Sequence, residues 1–198
     1  MPVAPGANVH ALRTVEDAER LAAELRPDAR VAVIGGGWIG LEVAATARQK
    51  GAEVTVIEAQ ARLCQRAVPE DVSAFLHELH TAEGVELLLE QSVEAVDVAA
   101  DGSTLVQLAG RAPLACDVLV AGIGLVPNDE LARAAGLDCA PGGGVLVDGA
   151  CRSSDERIFA AGDVAAAANP WAPQDAPMLR LESWQNANVQ AEAAGRTI

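Results

Sequence analysis

The segment Val31 to Gly40, VAVIGGGWIG, limits the possible folds of this chain more than any other stretch. A short, continuous, β-branched run such as Val31 to Gly35 predicts a parallel strand buried on both faces. Glycines at 35, 37 and 40 predict a sharp turn from that strand into a helix over Ile39 to Lys50, closed by Gly51. Ala52 to Glu58 then reads as a second strand, which makes a βαβ unit. Each glycine has a mechanical task in holding a dinucleotide. Gly35 permits the turn, Gly37 lets a pyrophosphate approach the backbone, and Gly40 lets the helix pack on the strand. The helix N-terminus supplies free N–H groups and about half a positive charge. Glu58 ends the second strand 18 residues after Gly40, where a carboxylate accepts hydrogen bonds from the adenosine ribose and repels a 2′-phosphate. NAD is therefore expected over NADP. Gly36, Trp38, Ile39 and Arg62 are placed in the same cofactor site. Arg62 and Arg66 could pair with a 2′-phosphate, which keeps NADPH as an alternative, and glycines that merely make the turn are a second alternative.

The rest of the chain follows an α/β pattern. Thr14 to Leu25 predicts a helix capped by Thr14, and a second helix is expected from Pro69 to Gly84. Val85 to Leu89 reads as a strand, and Val93 to Leu114 alternates around Asp101-Gly102 as an antiparallel meander. Cys116 to Gly124 is again a buried strand, and PNDELARAAG is a short capped helix. GGVLVD and RIFAAGDV read as strands, Ala165 to Pro177 as a loop, and ESWQNANVQAEAAGRTI as a helix. The expected fold is Rossmann-like, with a three-layer βαβ core and a meander.

Fourteen Lys+Arg stand against 28 Asp+Glu, a net charge of −14, and the cations are scattered singly. That pattern excludes nucleic acid as an expected partner. No signal-type segment opens the chain, and the longest apolar stretch is far short of the ~20 residues that span a bilayer. A cytoplasmic protein with no membrane partner is expected. Cys64, Cys116, Cys139 and Cys151 stand far apart and are expected to be reduced, mostly buried thiols. His77 and His80, one helical turn apart, are expected on a solvated helix face.

Taken in order, VAVIGGGWIGLEVA, VTVIEAQARL, VLVAGIGLVPN, IFAAGDVA and ESWQNA resemble the flavoprotein ferredoxin/rubredoxin reductases. These belong to the glutathione-reductase-like pyridine nucleotide-disulfide oxidoreductase superfamily. The likeness is strongest to NADH:ferredoxin reductase components of aromatic-ring dioxygenase or P450 systems. It implies that Ala121, Gly122, Ile123 and Gly124 border the nucleotide and that Glu42 is a carboxylate near the nicotinamide. On spacing alone, Glu42 is a solvated acid at the start of its helix. The resemblance also implies that Gly162 and Asp163 hold the flavin ribityl chain and that Glu182, Ser183 and Trp184, with Gln185, lie beside the isoalloxazine ring. On sequence alone, Asp163 is a turn residue and Trp184 a core aromatic. The implied reaction is hydride transfer from NADH to FAD, then single electrons to a ferredoxin or rubredoxin.

Two departures stand out. That family opens with its own GxGxxG for FAD and continues into a C-terminal domain, and neither has a counterpart here. The chain is therefore expected to comprise a linker and helix over 1–28, an NAD-binding domain over 29–125, and the returning, incomplete part of an FAD domain over 126–198. Alone it is expected to hold FAD poorly, so an NAD-binding module without flavin chemistry is an alternative. A disulfide-reductase relative needs two neighbouring thiols, which the cysteine spacing does not supply. The acidic balance also opposes encounter with an acidic ferredoxin, and the oligomeric state is left open.

Overall fold

The computed structural model describes residues 3–4, 6–169 and 178–198. It divides into two compact units, Met1–Gly124 and Leu125–Ile198. In the first unit the elements run β1 (Val9–His10), α1 (Val15–Glu24), β2 (Arg30–Ile34), α2 (Trp38–Gln49), β3 (Glu53–Ile57), α3 (Glu70–Ala82), β4 (Val85–Leu88), β5 (Val93–Val98), β6 (Thr104–Leu108), β7 (Leu114–Cys116) and β8 (Val118–Ala121). Strands β1-β8-β2-β3-β4 form one sheet, parallel throughout.

Because successive side chains on a strand point to opposite faces, the valine-rich strands feed two cores. Val31, Val33, Val54, Val56, Val118 and Val120 pack with Leu21 and Leu25 at α1 and with Val43, Ala44 and Ala47 of α2. Ala32, Ile34, Ile57 and Leu119 pack against Val96, Val106, Leu108 and Cys116 of the antiparallel meander β5-β6-β7. The result is three layers: helices, parallel sheet and meander. Residues 9–25 contribute to them directly, since β1 pairs with β8 and Leu21 and Leu25 join the helix-side core. Thr14 caps α1 in a reciprocal box: its Oγ1 accepts from the Asp17 N–H at 3.2 Å while its own N–H donates to Asp17 at 2.9 Å.

At the other end of β2 from the glycine turn, Asp117 accepts from the Arg30 backbone N–H (2.9 Å) and from its Nη2 (2.8 Å) and Nε (3.2 Å). These bonds hold the Asp117 carboxyl down to about 2, against an ordinary 3.8. A depressed carboxyl stabilises the folded state above its ordinary value and loses that contribution as pH falls through its folded value. Asp117→Asn is therefore expected to lower the urea midpoint at neutral pH, with the two proteins converging as pH falls from 3.8 toward about 2.

His77 is exposed but His80 is buried on α3, so the expected wet face holds only for the first of the two. Burial pushes the His80 ring below its ordinary value.

The second unit holds α4 (Glu130–Ala134), β9 (Val145–Val147), a 3-10 turn (Gly162–Val164), β10 (Ala165–Ala167) and α5 (Trp184–Thr197). Two expectations fail here. RIFAAGDV keeps only a bridge between Phe159 and Arg152 before the 3-10 turn, and the strand starts at Ala165, inside the expected loop. Alanine is a poor strand former, but burial of Ala165 and Ala166 beside β9, its parallel partner, overrides propensity. Residues 170–177 of that expected loop lie outside the described residues. Asp129 does not cap α4 with its side chain; its carboxylate instead accepts from Arg133 and from the Gly144 N–H at 2.7 Å. Among the described residues, no helix is long and apolar enough to cross a membrane.

Candidate functional site

The glycine turn lies at the carboxyl end of β2, between β8 and β3. Gly35 takes φ +107°, and a Cβ there would lie 2.4 Å from the Gly122 carbonyl oxygen. A Cβ on Gly40 would lie 2.0 Å from the Gly35 oxygen, so α2 packs directly on the turn. Gly37 is different: nothing lies within 4 Å of an added Cβ. It is the N-cap of α2, which has no side-chain cap and no acid in its first turn. The helix thus presents free N–H groups and the positive end of its dipole to open space. Trp38 and Ile39 are exposed beside it, at 51% and 44%.

Glu58 follows β3. Its Oε2 accepts from the Gly36 N–H at 2.6 Å and its Oε1 from the Gln60 N–H at 2.7 Å. The Gly36 carbonyl in turn accepts from the Cys64 N–H at 2.9 Å, so the loop after β3 is tied to both polar groups of Gly36. A Cβ on Gly36 would strike Leu63 at 2.7 Å and sit 3.2 Å from the Glu58 carboxylate. Sequence reasoning gave this glycine no task of its own; the signal was a third consecutive glycine beside a strand-ending acid.

Gly122 donates to the Ile34 carbonyl at 2.7 Å, which sets Ala121, Gly122, Ile123 and Gly124 directly beside the turn. Ile123 is 63% exposed there. Glu42 is exposed on α2, just beyond the first turn. The Arg62 guanidinium is held by the Gln65 and Val68 carbonyls of its own loop and by Ser73 Oγ of α3. Cys64 is buried, and burial, with the Glu58 charge as the smaller cause, pushes its thiol up. All four cysteines are free, and burial likewise pushes Cys116 up to about 11. Protonated thiols of this kind are poor nucleophiles.

In the second unit, a cleft of about 400 Å³ is lined by Asp163, Glu182, Ser183, Trp184, Ala187 and Asn188. The 3-10 turn is fixed to α5 by the Gly162 N–H, which donates to Gln190 Oε1 at 2.8 Å. Arg180 donates to the Asp163 carbonyl at 3.0 Å and pairs with Glu182 at 2.7 Å. Ser183 caps α5 by accepting from the Asn186 N–H. Trp184 is 81% exposed, which rules out a core aromatic. Gln190 and Arg180 carry no motif and were not legible in the sequence.

The sequence model of the pyridine nucleotide-disulphide oxidoreductase family matches residues 1–191. The chain is 47% identical over 197 residues to the ferredoxin–NAD(+) reductase component of the anthranilate 1,2-dioxygenase system of Burkholderia cepacia, covering 100% of this chain and 47% of that protein. It is 42% identical over 191 residues to a ferredoxin–NAD(P)(+) reductase of a Sphingomonas species, covering 96% of this chain and 45% of that protein. Among solved structures, it matches one titled as a covalent putidaredoxin reductase–putidaredoxin complex, with TM-score 0.86 and 38% identity over 96% of this chain and 45% of that one. The chain spans under half the length of these proteins.

Proposed function

Because this chain belongs to the pyridine nucleotide-disulphide oxidoreductase family, we propose that its first unit binds NADH as part of a flavoprotein that delivers electrons to a ferredoxin- or rubredoxin-type partner. The observation that carries this reading is the uncapped N-terminus of α2 at the open Gly37, with a strand-ending carboxylate, Glu58, on the adjacent strand. The residues fit the dinucleotide. Backbone N–H groups and the helix dipole meet the pyrophosphate, and Glu58 keeps acceptor capacity beyond its two N–H bonds for the ribose hydroxyls. The two ferredoxin reductase relatives support the acceptor class.

FAD, when bound, accepts a hydride and releases electrons singly. The cleft of the second unit fits part of that cofactor: Asp163 offers a carboxylate beside a backbone turn, and the exposed Trp184 offers a flat apolar face. A cleft of about 400 Å³ holds only a portion of so large a group, so these residues orient one end of it. Glu42, exposed on α2, would orient the nicotinamide with its carboxylate. A cytoplasmic location suits four free cysteines, which a reducing compartment preserves.

The test is a coenzyme titration of wild type and Glu58→Ala. Losing a charged acceptor is expected to weaken NADH binding by about 10-fold or more and to bring NADPH and NADH affinities together. An unchanged preference for NADH over NADPH would remove Glu58 from the site.

A further inference from the structure

Arg62 and Arg66 belong to one loop and have opposite commitments. The Arg62 Nη1 donates to the Val68 carbonyl at 2.8 Å and to Ser73 Oγ at 2.7 Å, and its Nη2 donates to the Gln65 carbonyl at 3.0 Å. Its fork is spent on the loop and on Ser73 of α3. Arg66 is exposed and has no hydrogen bond or ion pair among the described residues. No ion pair joins it to Glu58, whose two oxygens each accept from a backbone N–H.

The position of Arg66 matters as much as its freedom. A Cβ on Gly124 would lie 3.9 Å from Arg66 Nη2. The loop starts after β3, and Gly124 follows β8, the strands on either side of β2. A side chain that reaches from one to the other crosses the carboxyl end of β2, where the glycine turn enters α2. The loop that aims it is well fixed: Cys64 takes φ +49° and its N–H holds the Gly36 carbonyl, while Ser73 Oγ donates to the Leu63 carbonyl.

We infer that Arg66 is a ligand for the pyrophosphate of the bound dinucleotide, closing over it from the side opposite the α2 N-terminus, and that Arg62 is the positioning residue that aims the loop. This rests on the NADH-binding reading above. A pyrophosphate carries more charge than a helix terminus of about half a unit can balance, and a guanidinium supplies a forked, charge-assisted donor pair.

The experiment measures binding of NADH, NADPH and ADP-ribose to the full chain by titration, alongside thermal melting, for R66A, R66K, R62A and the R62A/R66A double variant. R66A is expected to weaken NADH and ADP-ribose alike by about 10–100-fold, with the melting temperature unchanged and part of the affinity restored in R66K. R62A is expected to lose affinity and thermal stability together, and R66A is expected to cost less in the R62A background than alone. Unchanged NADH and ADP-ribose affinity in R66A overturns the inference. So does a loss confined to NADPH, which would make Arg66 a reader of the 2′-phosphate. If wild type itself binds no NADH, the functional reading falls and the clamp falls with it; if wild type binds and R66A binds equally, only the clamp falls.

Discussion

Gly37→Val is expected to reduce NADH affinity by about 100-fold or more while leaving far-UV circular dichroism and the melting temperature at wild-type values. The separation of the two effects is the informative part. Nothing lies within 4 Å of an added Cβ at this position, and the φ of −84° is ordinary for valine, so the backbone accepts a side chain there without strain. The branch occupies the open space over the first turn of α2, which the pyrophosphate needs for contact with the backbone N–H groups. Isothermal titration with NADH, paired with a thermal melt, reads both quantities on one preparation. Wild-type affinity in this variant would mean that the phosphates bind elsewhere, and a collapsed melt would mean that Gly37 serves the fold.

Gly35→Ala is expected to do the reverse, costing about 3 kcal/mol or more of folding stability in a urea titration. Two independent costs combine. The backbone there sits at φ +107°, which an L side chain rarely adopts, and the new methyl would stand 2.4 Å from the Gly122 carbonyl oxygen. That carbonyl belongs to backbone following β8, and Gly122 itself is pinned by its N–H to Ile34, so neither side can yield cheaply. A midpoint close to wild type would show that the ends of β2 and β8 can part without loss. Two glycines of one motif thus divide the work: Gly35 sets how closely the strands converge, and Gly37 keeps the space above the helix clear.

The first unit was largely legible because its signals are local and repeated. Val31 to Ile34 and Val54 to Ile57 alternate large apolar side chains between two covered faces, and both strands are read directly from composition. Thr14 with Asp17, and Asp101 with Gly102, mark a helix start and a hairpin through short-range chemistry. The second unit was less so. Ala165 to Ala167 form a strand only because β9 lies alongside, a long-range cause that no window of sequence contains. His80 reads as a surface residue from its neighbours Glu78 and His77, yet the turn of α3 directs it inward. At the candidate site, the glycines and Glu58 were readable from spacing, whereas the difference between Arg62 and Arg66 was not. Two arginines four positions apart look equivalent until one is found holding Val68, Ser73 and Gln65 and the other none of them.

With Glu58 as the proposed reader of the ribose, its bond from the Gly36 N–H ties coenzyme choice and backbone shape into a single design variable. Engineering this scaffold toward a phosphorylated coenzyme by deleting the carboxylate would also strip the acceptor that anchors the middle of the glycine turn. A successful redesign would have to install a neutral acceptor of similar reach, such as the amide oxygen of glutamine, before adding positive charge nearby.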